Sequence, residues 1–220
     1  MNTDVGGEAR FGAVWTRCVA SPPSPDSATV YADLHRLLSA PGRRFHNLDH
    51  IRDCVRRLDE VAPLLEDRDA VEVAIWFHDA IYEPGDATNE ERSARLFLTQ
   101  STGARPLFRR RVCGLILTTR HCMHSRGTDR RFIEDIDLAG FAAPWDDFIR
   151  SGDLLRAEFA AHADGQYYPS QVRFLANLQS RPRFFRTDYF HDKYEARARQ
   201  NVRRLLDELA QRGFASPAAR

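Results

Sequence analysis

The sequence is almost without lysine: Lys193 is the only one, so 31 of its 32 basic residues are arginine. A GC-rich coding bias, which also favours alanine and proline, accounts for this without a functional role for the arginines. An excess of one sign of charge is missing as well. The net charge is +1, whereas a protein built for a nucleic acid or an anionic membrane surface usually shows a basic excess. The cysteines are four, Cys18, Cys54, Cys113 and Cys122, and none forms a C-x-x-C pair. That argues against a zinc ribbon or a dithiol redox motif and is consistent with buried or incidental thiols in a reducing compartment. The start, MNTDVGGEAR, lacks the basic-then-apolar pattern of a secretory signal. No apolar run approaches the ~18 residues needed to span a bilayer. Together these absences lead to the expectation of a soluble, cytoplasmic protein with no membrane partner and no nucleic-acid partner. Internal repeats, low-complexity tracts and sustained strand alternation are also lacking.

What remains is helical spacing of apolar residues along nearly the whole chain. At 220 residues a single domain is the natural reading: one all-α domain over 1–220, with a core of about 26–212 and frayed ends at 1–8 and 214–220. Phe11, Val14, Trp15 and Cys18 mark a first helix. SPPSPDS ends it, and Asp26 or Ser27 can cap the next, whose apolar face is Tyr31, Leu34, Leu37 and Leu38. Pro41-Gly42 precedes a third helix over about 47–65. A fourth runs over about 69–82 with Val71, Ala74, Ile75 and Trp76 inward. Thr88 with Glu91 fits a capping box opening a fifth. The sixth starts near Pro106 and runs to about His121. HSRGTD is a turn, 130–141 a short helix, and three further helical stretches fill 145–212.

Three segments carry residues suited to chemistry: FHNLDH at 45–50, WFHDAIY at 76–82 and EDIDLAG at 134–140. A His-Asp dipeptide occurs twice. His191-Asp192 lies among polar residues and reads as a solvated helix start. His78-Asp79 lies in an apolar helix, where an unpaired ionisable pair would be costly; a divalent cation explains it when other ligands converge. His46 and His50 are four apart and would share a helix face, although a helix entry at Asn47 leaves His46 outside. Two imidazoles with two carboxylates form a mixed N/O site, better suited to one octahedral Mn, Fe, Co, Ni or Mg ion than to structural zinc.

The order His…His-Asp…Asp on separate helices resembles the HD superfamily of metal-dependent phosphohydrolases. More narrowly, the chain resembles a bacterial family of predicted HD-superfamily phosphohydrolases through RFHNLDHI at 44–51, AIWFHDAIYEPGDATNEERSA at 74–94, LILTTRH at 115–121, DIDLAG at 135–140 and EARARQN at 195–201. FHNLDH is also similar to the Y-H-N-x-x-H segment of cyclic-nucleotide phosphodiesterases, with Phe45 in place of the tyrosine, so the hydroxyl is lost. The resemblance implies an HD-type helical fold and a metal held by His50, His78, Asp79 and a later aspartate. That aspartate is Asp137 or Asp135; the aliphatic Leu138 after Asp137 favours Asp137, with Asp135 then orienting a ligand. The resemblance also makes His46 the acid that protonates a leaving group, with Asp79 as a second catalytic residue that takes a proton from water.

The activity implied is hydrolysis of a phosphoester of a nucleotide or other small phosphorylated metabolite. Two alternatives stand beside it: a non-catalytic, metal-containing regulatory module, and an HD-type di-iron oxygenase. The second would need further histidine ligands, for which only His121 and His124 are placed. Arg44, with Arg43, is a candidate phosphate contact. His121 either contacts substrate or second metal, or simply places positive charge at a helix C-terminus. Glu90 is a candidate for holding a metal-bound water, while Glu91 is accounted for by the capping box. Arg109–Arg111 reads as an exposed helix face, and His35 and His162 as structural.

Overall fold

The computed structural model of the chain describes residues 7–121 and 126–214. Cys122, His124, the first part of the HSRGTD turn and most of both termini lie outside the described residues. Among those described the chain is all-α, with ten α-helices, three short 3-10 turns and no strand. No described helix is long and apolar enough to cross a membrane. The chain forms two compact units, one ending at Asp137 and the other beginning at Leu138.

The first unit holds α1 (Glu8–Cys18), α2 (Ser27–Leu38), α3 (Leu48–Val61), α4 (Arg68–Phe77), α5 (Asn89–Gln100), α6 (Pro106–Ile116) and the body of α7 (Thr128–Leu138). Gly7 and Glu8, expected to fray, belong to this frame: Glu8 opens α1, and the Gly7 carbonyl accepts from the Phe11 N–H. The centre of the unit is α4. Its sequence AVEVAIWF is apolar on every side, and Ala70 to Phe77 are all buried. It packs against α1, α3, α5 and α6. Phe11 meets Trp76 edge-on at 5.3 Å, and Phe77 meets Phe97 likewise at 5.3 Å. The one carboxylate in this stretch, Glu72, accepts from Arg10 Nε at 2.7 Å, which keeps the buried charge paired.

Caps decide where several helices begin. Asp26 accepts the Thr29 N–H and Asp67 the Ala70 N–H, as side-chain oxygens do at N-cap positions. At the start of α5 the capping box does not form. Thr88 gives its hydroxyl to Asp86 instead, at 2.7 Å, and Glu91 pairs with Arg120. The Arg109–Arg111 stretch is also more engaged than an exposed face. Arg109 donates to the Leu98 carbonyl at 2.7 Å, and Arg111 to Glu66 at 2.9 Å. Asp129, buried at the start of α7, accepts the Glu66 and Asp67 N–H groups at 2.8 and 3.0 Å, fixing α7 to the chain just ahead of α4.

The second unit holds a 3-10 turn (Ala139–Ala142), α8 (Trp145–Glu158), α9 (Asp164–Ser180) and α10 (Asp188–Gln211). EARARQN falls on α10 and braces backbone. The Glu195 carboxylate accepts the Phe184 and Phe185 N–H groups, and Arg199 donates to the Gln179 and Arg181 carbonyls, both at 2.8 Å. Asn201 donates to the Phe141 and Ala143 carbonyls, both at 2.9 Å. Asp192 is exposed on the same helix and His191 lies 3.2 Å from Glu195, so this second His-Asp copy is a surface feature.

Candidate metal centre

His50 owes its place to Asn47. The Asn47 side chain accepts the Asp49 N–H at 2.8 Å and the His50 N–H at 3.4 Å, which makes it the N-cap of α3. His50 is therefore in the first turn, directed inward beside the buried Ile51 and Cys54. His46 lies ahead of the cap, outside the helix.

His78 and Asp79 sit at the end of α4. The helix stops at Phe77, with His78 as C-cap, rather than running to Tyr82 as its spacing predicts. Other partners take up the backbone beyond that point: the Ile81 N–H goes to Ser93 Oγ, the Glu83 N–H to Asn89 Oδ1, and two carbonyls to Arg43. Its guanidinium takes the Asp79 carbonyl at 2.7 Å and the Ala80 carbonyl at 2.9 Å; the second has no helical donor in any case, because residue 84 is proline. It also takes the His46 carbonyl at 2.9 Å. Arg43 thus joins the loop carrying His46 to the segment carrying Asp79. Those contacts give it a structural role.

Four side chains converge. His78 Nε2 lies 3.0 Å from Asp79 Oδ2 and 3.6 Å from Asp137 Oδ1. His50 Nε2 lies 3.1 Å from Asp137 Oδ1 and 3.5 Å from Asp79 Oδ2. The two Nε2 atoms are 3.2 Å apart. His50, His78 and Asp137 place one ligand atom each within 4.8 Å of the other two; Asp79 meets both imidazoles but stands outside that trio. Asp137 rather than Asp135 thus supplies the α7 carboxylate. Asp135 is fully buried and, two residues back, projects about 200° round the helix from Asp137.

The donor chemistry fits a cation. His78 Nδ1 lies 2.8 Å from the Ile75 carbonyl, which can only accept, so Nδ1 carries a proton and Nε2 is the nitrogen that would offer its lone pair to a cation. The separations of 3.0, 3.1 and 3.2 Å are those that ~2.1 Å bonds produce between octahedral and tetrahedral angles, about 3.0 to 3.4 Å, and those of 3.5 and 3.6 Å are slightly wider. Burial disfavours every charge here. For Asp137 it is outweighed by hydrogen bonds from His121, His50 and His78, and the carboxyl is held well below its usual range. For Asp79 burial is outweighed by His78, with His46 and His50 adding, and this carboxyl is held low too. Burial also opposes charge on the two rings, but Cys54 and Asp137 raise His50, and Asp79 and Asp137 raise His78, well above the usual imidazole range.

The remaining candidates divide. His46 stacks on Tyr82, ring centroids 3.9 Å apart, with its own centroid 6.2 Å from that of His50. Phe45 covers His50 at 5.2 Å. Glu90 lies at the margin: burial raises its carboxyl, nearby Asp79 adds to this, and Arg120 Nε is 4.0 Å away. Arg44 is exposed and its carbonyl accepts from Asn47. His121 Nε2 meets Asp137 Oδ2 at 2.8 Å, which brings it to the edge of the cluster. His35 is exposed, and His162 packs on Phe159 at 5.3 Å. Two neighbours were not singled out from sequence: Tyr82, and Cys54, whose Sγ is 3.6 Å from His50 Nε2. The spacing His50-x-x-x-Cys54 on one helix face is the signal that could have found the second.

Comparison with protein-family models, with curated proteins and with solved structures gives no match to this chain.

Proposed function

We propose that this chain is an HD-type, metal-dependent phosphohydrolase acting on a phosphoester of a nucleotide or another small phosphorylated metabolite. The observation that carries the reading is the convergence of His50, His78 and Asp137, drawn from α3, the end of α4 and α7, with Asp79 against both imidazoles at its edge. The order of these residues and the segments around them resemble the HD superfamily, and that resemblance is what directs the reading to phosphate esters. His50, His78, Asp79 and Asp137 would hold one divalent ion of the Mn, Fe, Co, Ni or Mg class. Such an ion supplies Lewis-acid stabilisation of phosphate charge and a lowered pKa for water.

The chain's own groups do the rest. Asp79, anionic at the edge of the cluster, accepts a proton from the attacking water as the water oxygen bonds to phosphorus. His46, protonated, donates to the leaving oxygen as the phosphorus–oxygen ester bond breaks. Tyr82 fixes the plane of the His46 ring by stacking, and Arg43 fixes its backbone. The test is phosphate release from a panel of nucleotides and phosphorylated metabolites with Mn, Co, Ni or Mg. Turnover with at least one ion, abolished by chelation, is expected. A protein that keeps its metal and turns over nothing in the panel is a regulatory module instead. Two irons with oxygen consumption would make it an oxygenase.

A further inference from the structure

His121 is the single non-glycine residue with positive φ among the described residues, at φ 55° and ψ 14°. It closes the 3-10 turn Leu117–Arg120, its N–H donating to the Thr118 carbonyl at 3.2 Å. Glycine or asparagine makes such a turn with less crowding, because in the left-handed region a larger side chain presses its Cβ on the backbone. Chain geometry alone therefore does not ask for histidine. Nor does charge at a helix end, which needs only an exposed cation near the last carbonyls. The imidazole is 10% exposed and its Nε2 lies 2.8 Å from Asp137 Oδ2, so it donates to that oxygen.

We propose that His121 is a positioning residue of the metal centre, which holds Asp137 by Oδ2 so that Oδ1 faces His50 and His78. This goes beyond the proposed function and rests on its metal site. The two oxygens of Asp137 are divided between two partners: Oδ1 stands 3.1 Å from His50 Nε2 and 3.6 Å from His78 Nε2, and Oδ2 stands against His121. With Oδ2 tied, the carboxylate keeps one rotation about its side-chain bond. The turn that presents His121 is itself anchored, since Arg120 donates to Glu91 and to the Ala87 carbonyl at the start of α5. A left-handed histidine at the end of an anchored turn sets the ring at one distance from α7. Strained backbone of this kind persists where surrounding structure enforces it, commonly at functional sites.

The experiment is Co(II) titration of the full chain, read by stoichiometry, affinity and visible d–d absorption, for the parent, His121→Gly and His121→Gln. Glycine keeps the backbone conformation and removes the ring. Glutamine carries an amide nitrogen to about the reach of Nε2. The expected result is one ion in the parent, affinity about 10–100-fold weaker in His121→Gly with an altered d–d spectrum, and substantial recovery of both in His121→Gln. Unchanged affinity and spectrum in His121→Gly would overturn the inference and leave the metal site standing. Two ions in the parent and one in His121→Gly would also overturn it, making His121 a ligand. A parent that binds no Co(II) removes the metal site itself, and the inference with it.

Discussion

The Nε2 atoms of His50 and His78 face one another at 3.2 Å, although 28 residues separate them in the chain. With the Nδ1 proton of His78 committed to the Ile75 carbonyl at 2.8 Å, the ring's second nitrogen, Nε2, is the one turned to His50 and to the two carboxylates. A shared cation would take the place of the protons that the neighbouring carboxylates hold on these two rings.

Adding metal should therefore stabilise the folded chain. At 100 times the dissociation constant the gain is about 2.7 kcal/mol. Thermal unfolding with and without chelator measures it. His78→Ala should unfold at the same temperature in both conditions; a chelator response as large as the parent's would remove His78 from the ligand set.

Arg43 should matter to stability before it matters to chemistry. Arg43→Leu leaves the Asp79, Ala80 and His46 carbonyls without their donor, at a cost on the order of 3 kcal/mol. Denaturant unfolding checks this. A change below roughly 0.5 kcal/mol, the size typical of an ordinary surface substitution, would show that Arg43 does not brace the site.

His46→Ala should keep the metal and lose ~10²–10⁴-fold in turnover on esters with alkoxide leaving groups. Nitrophenyl esters, whose leaving group departs without a proton, should lose much less. Equal losses on both would assign His46 to binding or to positioning water; an emptied metal site would make it a ligand.

Most helices were legible because their apolar spacing matched the faces they bury, α4 through Val71, Ala74, Ile75 and Trp76. The capping role of Asn47 was legible too, since its side chain and position suffice. The true end of α4 was not. Nothing between Phe77 and Tyr82 breaks a helix; the backbone there is taken up by Arg43, Ser93 and Asn89, partners that local spacing cannot supply. The failed box at Thr88 has a similar origin, because Asp86 two residues earlier and Arg120 on another element compete for its two members. At the site, His50, His78 and Asp79 were named from pattern, and geometry separated Asp137 from Asp135. That His121 would meet Asp137 depended on a left-handed turn that no motif signals.

The salt bridge between Arg17 and Asp69 gives a pH dependence. The Arg17 hydrogen bond, against some burial, holds the Asp69 carboxyl below its usual value. Its folded pKa is thus below its unfolded pKa, so its stabilisation is complete above about pH 5 and is lost as pH falls through the folded value. Arg17 is 51% exposed, which limits the contribution to about 1 kcal/mol or less. Asp69→Asn should lower the unfolding temperature at pH 7 and narrow the drop between pH 7 and pH 3. A variant with the parent's full drop would show that this pair does not contribute to acid sensitivity.

Metal content per chain tests the central claim most directly, compared in the parent and in the near-isosteric variants Asp137→Asn, Asp79→Asn and Asp135→Asn. One divalent ion is expected in the parent, little in Asp137→Asn and Asp79→Asn, and close to one in Asp135→Asn. A full complement in Asp137→Asn, or a site emptied only by Asp135→Asn, would contradict it.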